Sequence, residues 1–188
     1  MATDKRMQLL NAAAELFTQQ GIQNTSTAAI SRRAGVATGT LFNYFSSKDA
    51  LIEELYQHAR RSMIEATAVD TIDTSDYYGA FGLLWERGIE WGCSNPTAFW
   101  FFEEVSRSAY RHNSTTTVSW LRFELIAAFI REGIDRGIIL DAPVNLIHTM
   151  ILTTISGIVA EILVNGVDKD DYIEHSRRIV WRALTREE

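Results

Sequence analysis

Thr27, Thr38, Thr40, Asn43, Tyr44 and Lys48 place short hydrogen-bonding groups near the start of the chain, with Gly39 among them. Hydroxyls, an amide and one ammonium at this spacing suit recognition. Thr38, Thr40 and Asn43 match the donor and acceptor edges of bases, and Thr27, Tyr44 and Lys48 match phosphate oxygens. No arginine or lysine falls between Ala37 and Ser47. The bidentate guanine contact is therefore missing, and base reading would be spread over thymine methyls, adenine edges and duplex shape. Side chains able to make or break bonds are dispersed by comparison. Cys93, His58, His112, His148 and His175 show neither zinc-ligand spacing nor an evident triad, so no catalytic residue, metal or cofactor is expected.

The polar groups need two short helices and a tight turn to hold them. The hydroxyl run Thr25, Ser26, Thr27 starts the first, with Ser26 as the cap. Ala28, Ala29, Ile30 and Ala34 form its small or apolar side, Arg32 and Arg33 point outward, and Gly35 allows a sharp turn at positive φ. A second helix is predicted over residues 38–45. At about 100° per residue, Leu41 and Phe45 fall on one side and Gly39, Thr40 and Asn43 on the other, flanked by Phe42 and Tyr44. Such a helix can lie in a DNA major groove, anchored from behind by apolar residues. The same pattern also fits a solvated helical hairpin, or a hairpin used for protein contact.

The string AGVATGTLFNYFSSKDAL closely resembles the signature of the TetR family of bacterial transcriptional regulators, and the resemblance runs over residues 10–55. It implies a helix-turn-helix protein that represses transcription and is released by a small ligand. Two positions depart from the family pattern. Ala37 stands where a serine usually caps the second helix, which passes the capping role to Thr38. Phe42 stands where tyrosine is usual, removing a hydroxyl that would reach a phosphate.

A net charge of −6 over 188 residues looks unsuited to DNA until it is divided along the chain. Residues 1–48 hold five cations (Lys5, Arg6, Arg32, Arg33, Lys48) against two anions (Asp4, Glu15), a net +3; the remaining 13 cations and 22 anions give −9. The positive end would face phosphates and the acidic remainder would be held away. One cysteine and an N-terminus without an apolar leader point to the cytoplasm. The apolar stretch 146–164 contains His148, Thr149, Thr153, Thr154, Ser156 and Glu161, so a buried helix is preferred to a membrane span.

Two prolines and no long alternating run predict an all-α fold. It divides into a three-helix DNA-binding domain, residues 1–48, and a larger helical ligand-binding and dimerisation domain, residues 49–188. A helix over residues 4–20 brings Leu10, Ala13, Ala14 and Phe17 to the core of the first. Ser46 and Asp49 fit a capping box opening a long helix from residue 48, a rigid lever between domains. Residues 70–75 read as a connection. The next helix, residues 76–94, contains Gly79, Gly82, Gly88 and Gly92, which implies close packing by a neighbouring helix or a ligand. Trp85, Phe99, Trp100, Phe102, Trp120 and Phe123 either line a pocket for an apolar or aromatic effector or fill a core. Helices over 143–164 and 169–184 end the chain, with Ser156, Gly157 and Ala160 forming a small-residue strip. By pattern they suit a dimer or a thick monomer core; the resemblance implies a homodimer through a four-helix bundle. The expected partners are double-stranded DNA, a second copy of the chain and an unknown small-molecule effector, with no membrane.

Overall fold

The computed structural model describes residues 2–107 and 117–185. Among the described residues all regular structure is helical, apart from an isolated bridge between Ile139 and Thr185. The chain separates into two compact units, residues 1–61 with 95–116 and residues 62–94 with 117–188. This division differs from the one expected at residue 48.

The first unit holds α1 (Ala2–Gln20), α2 (Thr27–Arg33), α3 (Thr38–Tyr44), the first turns of α4 (Lys48–Thr67) and α6 (Pro96–Arg107). Its core is the predicted set: Leu10, Ala13, Ala14, Phe17, Ile30, Leu41 and Phe45 are all buried. Leu9, Ala12, Ile22, Leu51, Ile52 and Leu55 join it, and α6 adds Phe101 and Val105. The Phe101 ring stacks on Phe17 with centroids 5.9 Å apart. That contact, between residues far apart in sequence, is why α6 belongs with the N-terminal helices.

The second unit holds the end of α4, a 3-10 turn (Val69–Thr71), α5 (Tyr77–Ser94), α7 (Thr117–Asp135), α8 (Val144–Asn165) and α9 (Lys169–Leu184). The glycines of α5 are explained mainly by helix neighbours. A methyl on Gly88 would lie 3.3 Å from Ile155 Cδ1, one on Gly92 2.8 Å from Val159, and one on Gly82 2.8 Å from Arg177 of α9. Gly88 and Gly92 are four apart, as are Ile155 and Val159, so the Ile155–Val159 ridge of α8 lies in a groove that side chains at these two positions of α5 would fill. Gly79 sits beside Asp76, which accepts from its amide and starts the helix. Tyr77 stacks on Phe129 at 4.4 Å and donates its hydroxyl to the Phe129 carbonyl. The connection before α5 is tied down by Thr74, which donates to Glu132 at 2.7 Å, while Arg136 donates to the Thr74 carbonyl at 2.7 Å.

The apolar helix α8 is not covered all round within the protomer. It buries Ile147, Ile158 and Val159, while Leu146, Met150, Leu152 and Val164 are exposed, as is Ile179 of α9. By length and composition alone α8 could also cross a membrane.

Candidate nucleic-acid interface

Ser26 caps α2 as expected, accepting from the Ala29 amide at 3.1 Å. Thr25, beside it, is a tie and not a cap. It is buried and donates to the Gly21 carbonyl at 2.8 Å, closing the α1–α2 turn. Ser31 is also buried and donates to the Thr27 carbonyl at 2.9 Å, a bond within the helix that spares the solvent side. Gly35 takes φ +69°, and the Val36 amide returns to the Ser31 carbonyl at 2.9 Å, which fixes the angle at which α3 leaves. Ala37 occupies the cap of α3, and no side chain caps that helix. The expectation that Thr38 takes over the capping role is therefore corrected: Thr38 is the first helical residue, too late to reach back. The Thr40 amide instead closes a tight turn on the Ala37 carbonyl at 2.8 Å.

The two sides of α3 separate cleanly. Leu41 is fully buried and Phe45 nearly so, and they hold the helix on the core. Thr38, Gly39 and Asn43 are exposed, Thr40 and Tyr44 half-buried, and Phe42 is 49% exposed. A methyl built on Gly39 would meet nothing within 4 Å. Among the described residues no neighbour requires a glycine there, and the front of the helix is open.

Lys48 is more deeply committed to the scaffold than sequence reasoning anticipated. Its ammonium donates to the Ile22 carbonyl at 2.5 Å and lies 6.0 Å from the centre of the Phe17 ring; partial burial lowers its pKa from the ordinary lysine value. The Ile22 amide in turn donates to Glu104 of α6 at 3.0 Å. Opposite charges from two helices thus hold both polar groups of one buried residue in the α1–α2 turn. Sequence reasoning missed this clamp, because no local pattern pairs residue 22 with residue 104. The cap of α4 is likewise corrected: Ser47, not Ser46, accepts from the Ala50 amide, at 3.1 Å, so the predicted capping box is absent. Of the other cations, Arg33 grips Glu15 through Nε and Nη2 at 2.9 and 2.5 Å, and Arg6 pairs with Glu54 at 2.8 Å. Lys5 and Arg32 stand exposed.

The described aromatic candidates are divided between the two units. Trp85 is buried in the second unit, where its indole N–H donates to Ser176 at 2.9 Å and its ring lies 5.5 Å from Phe81. It fills core. Phe99, Trp100 and Phe102 lie on α6 in the first unit; Phe99 and Trp100 meet edge to face at 4.9 Å, and Phe102 meets Tyr56 in the same way at 5.2 Å. The side chains of Trp120 and Phe123 lie outside the described residues. An open cleft of about 510 Å³ in the second unit is lined instead by Arg131, Ile134, Asp135, Asp141, Pro143 and Val144. Cys93 is half-buried, and burial pushes its thiol pKa up, the opposite of what a nucleophile needs.

A short helix held from behind by Leu41 and Phe45, and joined by a glycine turn to a capped helix, defines a helix-turn-helix DNA-binding domain. Residues 9–55 match the model of the bacterial regulatory proteins, tetR family. A protein assigned to that family from Shewanella sp. PV-4 superposes with a TM-score of 0.83 at 27% identity, over 97% of this chain and 99% of that one. An HTH-type transcriptional regulator of Haemophilus influenzae is 22% identical over 98% of this chain and 97% of its own. The transcriptional regulator FadR from Bacillus subtilis, solved in complex with stearoyl-CoA, has the same fold, with a TM-score of 0.75 at 21% identity over 95% and 97% of the two chains. Residues 9–55 are thus a DNA-binding domain of the tetR family, and the chain has the fold of solved transcription regulators of that family.

Proposed function

We propose that this regulator is a repressor that binds a near-palindromic operator as a homodimer and is released by a small apolar or aromatic molecule. The carrying observation is the division of α3 into a buried side, Leu41 and Phe45, and an open side, Thr38, Gly39 and Asn43, with Thr40 half-buried beside them. In this reading residues 1–48 are the DNA-reading domain and the rest of the chain holds the effector and the partner. Thr38, Thr40 and Asn43 meet base edges, with Gly39 allowing close approach. Thr27 and Tyr44 meet phosphates. Lys48 keeps one N–H on Ile22 and has two more donors for a phosphate.

One such helix touches too few bases to select an operator. Two, brought by a dimer into successive major grooves about 34 Å apart, touch enough. The exposed apolar residues of α8 and α9 support the dimer, since a single chain leaves them in water. The bound stearoyl-CoA of the Bacillus subtilis protein supports an effector with a long apolar part, and Phe99, Trp100 and Phe102 are the described aromatics proposed to meet it. Such a ligand acts only through its differential affinity for two arrangements of the chain, with α4 as the lever. Selection of the full chain against a random duplex library tests the reading, with sedimentation of the protein alone and on the selected duplex. Enrichment of an inverted repeat bound by two chains is expected. Failure to enrich any sequence, or binding of a lone chain, would overturn it.

A further inference from the structure

We propose that Phe42 is a specificity determinant of α3, its ring packing on the C5-methyl group of a thymine in the major groove; the inference rests on the DNA-reading function above. At 100° per residue Phe42 lies about 60° from Gly39 and about 100° from Asn43 around the helix axis. It lies equally about 60° from the buried Phe45, so it stands at the edge of the open side, where 49% of it is exposed. Its neighbours there, Thr38, Gly39 and Asn43, are short, so the phenyl ring is the farthest-reaching group on that side. The empty space in front of Gly39 lets the helix axis come close to the groove floor, which brings the ring within reach of the bases.

The chemistry of the ring narrows what it can meet. A phenyl group carries no donor or acceptor for a phosphate oxygen or a base edge. The apolar feature that a base pair shows in the major groove is the thymine methyl. With no arginine or lysine from Thr38 to Ser46, the guanine contact that commonly dominates a recognition helix is absent, and an apolar contact of this kind carries correspondingly more of the base preference.

Uracil differs from thymine only by that methyl, so substituting it in the library-selected duplex, one thymine at a time, isolates the contact. Anisotropy titrations with the full-length chain are expected to show a loss of about fourfold at one thymine in each half-site, as for one methyl group withdrawn from an apolar contact, and none at the others. In Phe42→Ala that thymine and uracil should bind alike, whereas Phe42→Leu, which keeps an apolar tip, should retain part of the preference. Because Phe42 lies outside the core, both variants should keep the wild-type melting temperature; if Phe42→Ala does not, Phe42→Leu alone decides. Wild-type protein indifferent to uracil at every position would overturn the proposal. So would a Phe42→Ala loss that is equal on thymine and uracil, since the ring would then rest on the sugar-phosphate backbone. A chain that enriches no duplex removes the DNA-reading function itself, which separates that failure from this one.

Discussion

Glycines distinguish surfaces that the chain fills by itself from surfaces it leaves open. Gly82, Gly88 and Gly92 each have a neighbouring side chain where a methyl would go, whereas a methyl on Gly39 would touch nothing. Gly39 therefore costs helix stability with no packing return from the described residues. Gly39→Ala should leave the fold intact or more stable, by up to about 1 kcal/mol, while weakening operator binding about tenfold or more by holding α3 off the groove. Chemical denaturation and anisotropy titration read the two effects separately. Equal or tighter binding by the alanine variant would mean that the duplex does not approach there. The sequence showed Gly39 on the polar side of its helix, because a 3.6-residue period suffices for that. It did not show that the space beyond was empty, since that depends on the rest of the fold.

Element boundaries were legible wherever caps and periodicity coincide, as at Ser26 and Gly35. They misled where two adjacent serines competed, and Ser47 took the α4 cap from Ser46. The placement of α6 was not legible: Phe101 reads as apolar from sequence, but nothing local says that it packs on Phe17. The Ile22 clamp depends on this placement. Glu104→Ala removes the acceptor of a buried amide and should destabilise by about 1–3 kcal/mol, measured by urea denaturation, while Glu104→Gln, which keeps a carbonyl oxygen, should lose less. A loss no greater for alanine than for glutamine would show that the bond contributes little. Tyr77, which joins α5 to α7, carries a pH signature. Burial, with the nearby Glu132 carboxylate, raises the pKa of its phenol above the ordinary value of 10.0. The unfolded chain releases this proton first, so above that pH it binds fewer protons than the folded chain, and stability falls as pH rises. The contribution is whole below pH 10 and is lost towards the higher folded-state pKa. Tyr77→Phe should therefore lose less stability than the wild type between about pH 9 and about pH 11, as followed by urea midpoints. An identical decline in both proteins would assign the alkaline loss to other groups.

The whole molecule is where one chain falls short of explaining itself. The sequence showed α8 as apolar nearly all round and left open whether its own domain covers it. Within the protomer α8 packs its Ile147, Ile158 and Val159 side and leaves Leu146, Met150 and Val164 in water. Gly157, on the uncovered side, repeats the pattern of Gly39: a methyl there would meet nothing within 4 Å. Small residues on an exposed apolar helix suit the close approach of a second helix, and the proposed dimer supplies one. Gly157→Leu tests this without disturbing the protomer, because leucine is the better helix former and has free space within the chain. The expected outcome is a folded, largely monomeric protein in sedimentation, with a helical circular dichroism spectrum like that of the wild type. Operator affinity should fall by at least about a hundredfold, since a monomer brings one reading helix in place of two and forfeits the second half-site. A Gly157→Leu protein that remains dimeric and binds normally would move the partner contact elsewhere on the chain. A monomer that still binds the full inverted repeat tightly would instead show that the two reading domains need no α8 contact to act together.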